Sequence, residues 1–108
     1  RTSRAEERDV YTASDVTLSV REHTVFVSGC AVELTNKEFL ILKYLFERRG
    51  EVVDRNLMMQ DIWGYSFSGE SRTVDVHIRT LRQKLGTGGD IIETVRGVGY
   101  KISAKSEG

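Results

Sequence analysis

Residues 71–86 read SRTVDVHIRTLRQKLG, a segment whose apolar residues recur with helical spacing. At 100° per residue, four of its apolar side chains fall within about 40° of one another. These are Val74, Ile78, Leu81 and Leu85. The pattern predicts a helix over 71–86 that buries this stripe, with Ser71 as its N-cap.

The opposite face of this helix has an unusual composition. It carries no acid and consists of Arg72, Thr73, Val76, Arg79, Thr80 and Gln83. Arginine can form two hydrogen bonds to guanine, glutamine can read adenine, and valine or threonine methyls can contact the thymine methyl group. Asp75, the one acid of the helix, lies to the side. The face therefore fits a DNA major groove, but an ordinary solvated helix face explains it equally well.

A predicted β-hairpin follows directly. The strand-like runs 91–95 and 100–103 are joined by Arg96-Gly97-Val98-Gly99, in which two glycines allow a tight projecting turn. A lone arginine at such a tip can enter a minor groove, where the potential is most negative over A·T-rich DNA. A surface arginine in an ordinary turn is the alternative. A hairpin placed next to an arginine-bearing helix favours DNA binding more strongly than either part alone.

The residues before this helix predict a sheet and two further helices. Residues 16–34 alternate β-branched or aromatic residues with polar ones between turn signals, which predicts a small antiparallel meander. Thr35 and Glu38 form a capping box before an apolar run, and Gly50 stands where a C-cap glycine belongs. Asp54 is a suitable N-cap for a second, shorter helix.

The remaining segments complete an α+β fold. That fold is a winged helix-turn-helix with an N-terminal antiparallel sheet, a three-helix bundle and a C-terminal β-hairpin wing. Glycines 86, 88 and 89 predict a flexible break before the wing. We expect a linker or ordered arm at 1–14, the winged-helix domain at 15–105 and a short tail at 106–108.

The charge distribution is uneven although the net charge of the 108 residues is zero. Residues 1–70 hold nine Lys/Arg and twelve Asp/Glu, whereas residues 71–105 hold seven Lys/Arg and three Asp/Glu. A basic end can bind a polyanion locally, because charges are screened beyond about 10 Å at physiological salt. No apolar run approaches the length of a membrane span, so no membrane partner is expected.

Other reactive side chains do not form a recognisable catalytic or metal-binding pattern. His23, Cys30 and His77 lack ligand spacing, and we expect two ordinary histidines and a small buried thiol. A single cysteine excludes an internal disulfide and is compatible with a reducing cytoplasm. We therefore expect neither an enzyme nor a cofactor. The competing function is a protein-interaction module in which the helix arginines dock an acidic partner.

The segment that follows the second helix contains three aromatic residues. Trp63, Tyr65 and Phe67 stand among glycines and serines, either as core plugs or as a protein-contact patch. We expect Trp63 to be buried and the other two to be more exposed.

Several motifs resemble one family. Residues 72–79, Leu81-Arg82 and 94–100 resemble the OmpR/PhoB-type effector domain of bacterial two-component response regulators. Leu34-Thr35, Glu38-Phe39 and Trp63-Gly64 match the same family. The resemblance covers roughly residues 16–103. It implies a cytoplasmic transcription regulator that lies C-terminal to a phosphorylatable receiver domain and binds direct repeats of double-stranded DNA as a head-to-tail dimer.

The resemblance also implies roles for individual residues. Base-reading positions fall at Thr73, Val76 and Thr80, and the chemistry of the helix face adds Arg79. Phosphate-contacting positions fall at Arg72, His77, Arg79, Arg82, Thr94 and Tyr100, and we add Lys84 for its charge. Arg96 would enter the minor groove, and the loop from Trp63 to Glu70, with Tyr65 and Phe67, would contact RNA polymerase. Some members carry arginine where this chain has Thr80, so its preferred DNA site should differ there.

Overall fold

Two antiparallel sheets flank a three-helix bundle in the computed structural model, which describes residues 10–64 and 72–102. The predicted winged helix-turn-helix fold is confirmed. Residues 103–108, which include the end of the predicted domain and its tail, lie outside the described residues, as do residues 1–9.

The first sheet is a four-stranded meander in the order β1-β2-β3-β4. Its strands are β1 (Val10–Ala13), β2 (Val16–Ser19), β3 (Thr24–Val27) and β4 (Cys30–Val32). β1 lies within the segment for which a linker or ordered arm was expected, and its residues pair along their length with β2. Leu18 and Val25 are opposite each other and buried, because alternate side chains of the sheet face the helices.

Cys30 and His23 lie at the margins of this sheet. The expectation of a buried thiol at Cys30 is wrong: Cys30 begins the edge strand β4 directly after a turn, and it is exposed. His23 is in a turn with φ of 58° and stacks on Phe39, with 3.8 Å between ring centroids. Among the described residues, no group of three or more His, Cys, Asp or Glu side chains is arranged to hold a metal ion.

The helices are α1 (Asn36–Glu47), α2 (Arg55–Trp63) and α3 (Arg72–Leu85). The predicted capping box is confirmed: the Glu38 amide donates to Thr35 Oγ1 (3.2 Å), and the Thr35 amide donates to Glu38 Oε1 (2.9 Å). Asp54 caps α2 as predicted, because its carboxylate accepts from the Asn56 amide.

Gly50 does not cap α1, which already ends at Glu47. Its φ of 87° places it in the left-handed region, and its N–H donates to the carbonyl of Ile102 at 2.9 Å. Gly50 therefore ties the exit of α1 to the C-terminal sheet.

The predicted flexible break at 86–89 is instead a packed 3₁₀ turn, Gly86–Ile91. Gly88 and Gly89 are buried. A Cβ on Gly89 would lie 2.8 Å from the carbonyl oxygen of Arg82, and one on Gly88 would lie 2.5 Å from Cγ2 of Val16. These glycines permit close packing against α3 and β2. The glycine content of the segment alone did not reveal this packing.

The C-terminal sheet has three strands in the order β5-β7-β6: β5 (Val53–Asp54), β6 (Ile92–Val95) and β7 (Gly99–Ile102). β5 comes from the link between α1 and α2. It pairs with the end of the hairpin, Val53 opposite Tyr100 and Asp54 opposite Gly99. A Cβ on Gly99 would collide with the carbonyl of Val53, so the pairing requires glycine there.

Both sheets and the helices contribute to one core cluster. It includes Leu18 of β2, Leu42 of α1, Met58 of α2, Ile78 of α3 and Ile102 of β7. Within residues 10–64 and 72–102, no helix combines the length and apolarity that crossing a membrane requires.

We expect Gly88→Ala to destabilise the domain by about 1–3 kcal/mol, the usual cost of overpacking a core. The added methyl group would meet the fully buried Val16 and would also lie 3.2 Å from Cγ1 of Val27. This cost exceeds the roughly 0.4–1 kcal/mol gained when alanine restricts the unfolded chain. Urea denaturation measures the difference, with the exposed neighbour Thr87→Ala as the matched control. Equal stability of the two variants would contradict the packing role.

Candidate nucleic-acid interface

The rotation of α3 about its axis agrees with the sequence pattern. Val74, Ile78, Leu81 and Leu85 are at most 2% exposed, which confirms the predicted stripe. Val76, on the opposite side, is 58% exposed. An exposed valine contributes little hydrophobic stabilisation, so Val76 has no evident role in folding.

The outer face of α3 also presents the polar residues predicted for it. Arg79 and Gln83 are exposed, and Thr73 and Thr80 are half-buried. The Thr80 hydroxyl donates to the carbonyl of Val76 at 3.2 Å, which orients its methyl group away from that bond. Arg72 begins the helix, but its side chain lies outside the described part of the structure.

His77 lies at the shoulder of this face and is half-buried. Its Nδ1 is 2.9 Å from the carbonyl oxygen of Thr73, and since a carbonyl only accepts, Nδ1 carries the hydrogen. The ring also meets Trp63 edge-on, with 5.1 Å between centroids. Nδ1 is therefore engaged within the helix, which leaves Nε2 as the ring nitrogen for any further hydrogen bond.

Trp63 is half-buried rather than buried as expected. It ends α2, packs against the core and carries the Lys37 ammonium 5.3 Å from its ring centroid. The ring therefore lies at the boundary between the core and the half-buried Lys37 side chain. Tyr65 and Phe67, the other members of the aromatic segment, lie outside the described residues.

The wing projects Arg96 at its tip. Gly97 has a φ of 78°, and the Val98 amide donates to the Val95 carbonyl at 3.0 Å, which closes the turn. Arg96 and Thr94 are exposed, and Val98 is 46% exposed. The hairpin therefore offers a narrow cationic tip with a small apolar neighbour.

Tyr100 was expected to contact a phosphate, but the structure gives its hydroxyl an intramolecular partner. The side chain is buried and donates to Asp75 Oδ1 at 2.6 Å. Burial and the hydrogen bond to Asp75 raise the pKa of Tyr100 to about 12. Its single proton is committed to Asp75, so in this conformation none remains for a phosphate oxygen.

Two cations that were expected at phosphates also have internal partners. Lys84 forms an ion pair with Glu38 at 2.7 Å, and the buried carboxylate is the one that caps α1. Burial raises the pKa of Glu38, but Lys84 and Thr35 outweigh it and hold that pKa below its ordinary value. Arg82 donates from Nη2 to the carbonyl of Ile92 (2.6 Å) and to Thr94 Oγ1 (2.8 Å).

Sequence reasoning missed the link between α2, α3 and the wing. Arg55 Nη1 lies 2.9 Å from Asp75 Oδ2, while Tyr100 occupies the other carboxylate oxygen. The available signal was Asp75 itself, because a lone acid on an otherwise basic helix is expected to have specific partners.

The fold and this surface define a winged-helix domain whose outer helix face and hairpin tip point to solvent. The chain belongs to the family described as "Transcriptional regulatory protein, C terminal", whose model matches residues 29–102. The resemblance to OmpR/PhoB-type domains is therefore confirmed.

Named relatives agree with this assignment. The chain is 35% identical over 109 residues to the transcriptional regulatory protein PcoR of Escherichia coli, covering 99% of this chain and 48% of PcoR. It thus spans about half the length of that relative.

Solved structures agree as well. The response regulator DrrB of Thermotoga maritima, an OmpR/PhoB homologue, superposes with a TM-score of 0.81 at 31% identity, over 95% of this chain and 49% of DrrB. The DNA-binding domain of Klebsiella pneumoniae RstA, solved in complex with the RstA box, gives 0.77 at 29% identity, over 89% of this chain and 98% of that domain.

We expect Arg82→Ala to lower stability by about 1–3 kcal/mol, because it leaves the Ile92 carbonyl and the Thr94 hydroxyl without their shared donor. Arg79→Ala, three residues earlier on the exposed face, should change stability by less than about 0.5 kcal/mol. Thermal unfolding of the two variants without DNA makes the comparison. If both melt like the wild type, Arg82 does not support the wing.

Proposed function

We propose that this chain binds double-stranded DNA sequence-specifically, with α3 in the major groove and the wing in the adjacent minor groove. The observation that carries the proposal is Val76, exposed beside Arg79 and Gln83 and opposite the buried stripe. A thymine methyl group would give this valine an apolar partner. The family assignment and the RstA domain solved in complex with the RstA box support DNA binding.

The cations divide into two roles under this proposal. Arg79 and Arg72 approach the DNA directly from α3, and Arg96 enters the minor groove from the wing tip. Arg82, Lys84 and Tyr100 act mainly inside the protein, since each is already bonded there. His77 donates to a phosphate sideways from Nε2 in the form of the ring that carries a hydrogen on both nitrogens, and Thr94 offers its hydroxyl from the wing.

The longer protein would be a response regulator. We propose that a phosphorylatable receiver domain precedes this domain and that two copies bind direct repeats head to tail in the bacterial cytoplasm. The aromatic segment containing Trp63, Tyr65 and Phe67 would contact RNA polymerase. These assignments are supported by the family resemblance and by the response-regulator relatives, of which this chain covers about half.

The salt dependence of binding tests the role of Arg79. Each neutralised phosphate contributes about 0.9 to the slope of log affinity against log salt, so Arg79→Ala should make the slope shallower by about one unit. Lys43→Ala removes the same charge from α1, where Lys43 pairs with Glu47, and should leave the slope unchanged. Titrations of a random duplex at several salt concentrations measure both. Equal slopes for the wild type and Arg79→Ala would remove Arg79 from the interface.

Val76→Ala tests base reading by α3. Because the side chain is largely exposed, we expect a stability change below about 0.5 kcal/mol. Loss of the thymine contact should cost on the order of 1 kcal/mol of specific binding and relax the preference at one base pair. Sites selected from a random duplex library give the profile. Val52→Ala, at another exposed valine, is the matched control. A wild-type profile for Val76→Ala would show that a different face of α3 reads the bases.

A further inference from the structure

Asp75 has contacts that a DNA-reading role does not explain. It is the only acid in α3, where its charge would be repelled by DNA phosphates. Its carboxylate is half-buried and bridges two other elements, accepting from Tyr100 of β7 at 2.6 Å and from Arg55 of α2 at 2.9 Å. Both oxygens are therefore engaged.

The bond from Tyr100 attaches a strand of the wing, β7, to α3. Tyr100 is buried and lies opposite Val53 on one side and Thr94 on the other. Since its pKa is raised to about 12, the hydroxyl stays protonated at physiological pH and remains a donor to Asp75. This geometry joins the middle strand of the C-terminal sheet to the first turn of α3.

A second attachment lies two turns further along the same edge of α3. Residues seven apart on a helix project in nearly the same direction, and Arg82 stands seven residues after Asp75. Arg82 bonds to Ile92 and Thr94 of β6. The two charged side chains of this edge therefore hold both strands of the hairpin.

We propose that Asp75 is a positioning residue for DNA binding, which holds Tyr100 so that the wing tip stands at a fixed distance from the reading face of α3. The inference rests on the proposed two-groove function. An interface element that is already held in its bound position loses less conformational entropy on binding. Asp75 would thereby strengthen the contact of Arg96 with the minor groove without touching DNA.

Tyr100→Phe isolates this effect, because it removes one hydrogen bond and leaves the ring and the charge of Asp75 in place. The probes are two duplexes: the full selected site, and the same site shortened so that the wing meets no DNA. We expect affinity for the full site to fall about tenfold, the size of one lost hydrogen bond to a charged group. Affinity for the shortened site should stay within about twofold.

Tyr44→Phe is the matched control. Tyr44 of α1 also donates its hydroxyl to an aspartate, Asp61 of α2, and neither residue belongs to the wing or to the outer face of α3. Its ratio of affinities for the two duplexes should equal that of the wild-type chain. An equal loss on both duplexes for Tyr100→Phe would overturn the proposal, since it would reflect a general change of the fold.

The wild-type chain separates the two possible failures. If it binds both duplexes equally, the wing makes no contact with DNA, and the proposed function fails together with this inference. If it prefers the full site and Tyr100→Phe keeps that preference, only the role of Asp75 fails. Amide hydrogen exchange without DNA gives an independent reading: Gly97 and Val98 should exchange faster in Tyr100→Phe, and unchanged exchange would also overturn the proposal.

Discussion

Burial of the apolar stripe of α3 determines which residues of that helix face solvent. Val74, Ile78, Leu81 and Leu85 are enclosed by the core, so the helix has no freedom to rotate about its axis. Rotation by one residue would expose part of this stripe and cost several kcal/mol, at about 1.5–3 kcal/mol for each large side chain. The same burial that stabilises the domain therefore dictates that Val76 and Arg79 face outward.

Some basic side chains of α3 form ion pairs or hydrogen bonds within the protein. Lys84 compensates the buried carboxylate of Glu38, and Arg82 satisfies acceptors on the wing. A count of cations along α3 therefore includes two that already have partners within the protein. Arg79 and Arg96 are exposed at the helix face and the wing tip, where the two grooves would be met.

The elements with local signals could be predicted from the sequence, because their causes lie within a few residues. The capping box at Thr35, the N-cap at Asp54 and the helical stripe of α3 are of this kind. What could not be predicted depends on contacts distant in sequence. The pairing of Val53 with Tyr100, and the packing that buries Gly88 in a 3₁₀ turn, arise only after the chain has folded. Among the candidate interface residues, the exposure of Val76 and Arg79 could be predicted from the helical periodicity. The internal partners of Tyr100 and Lys84 could not be predicted from the sequence.

The third strand of the C-terminal sheet helps to hold the wing in place. A two-stranded hairpin is marginally stable in water, and a free hairpin would carry its tip through many orientations. β5, from the link between α1 and α2, adds a third strand. Gly99 permits that pairing because it has no Cβ to collide with the carbonyl of Val53. Since β5 leads directly into α2, where Arg55 meets Asp75, the backbone and side-chain attachments converge on the same corner of the domain. Helix and wing are thereby joined at one corner of the domain, an arrangement that suits the proposed recognition of two grooves.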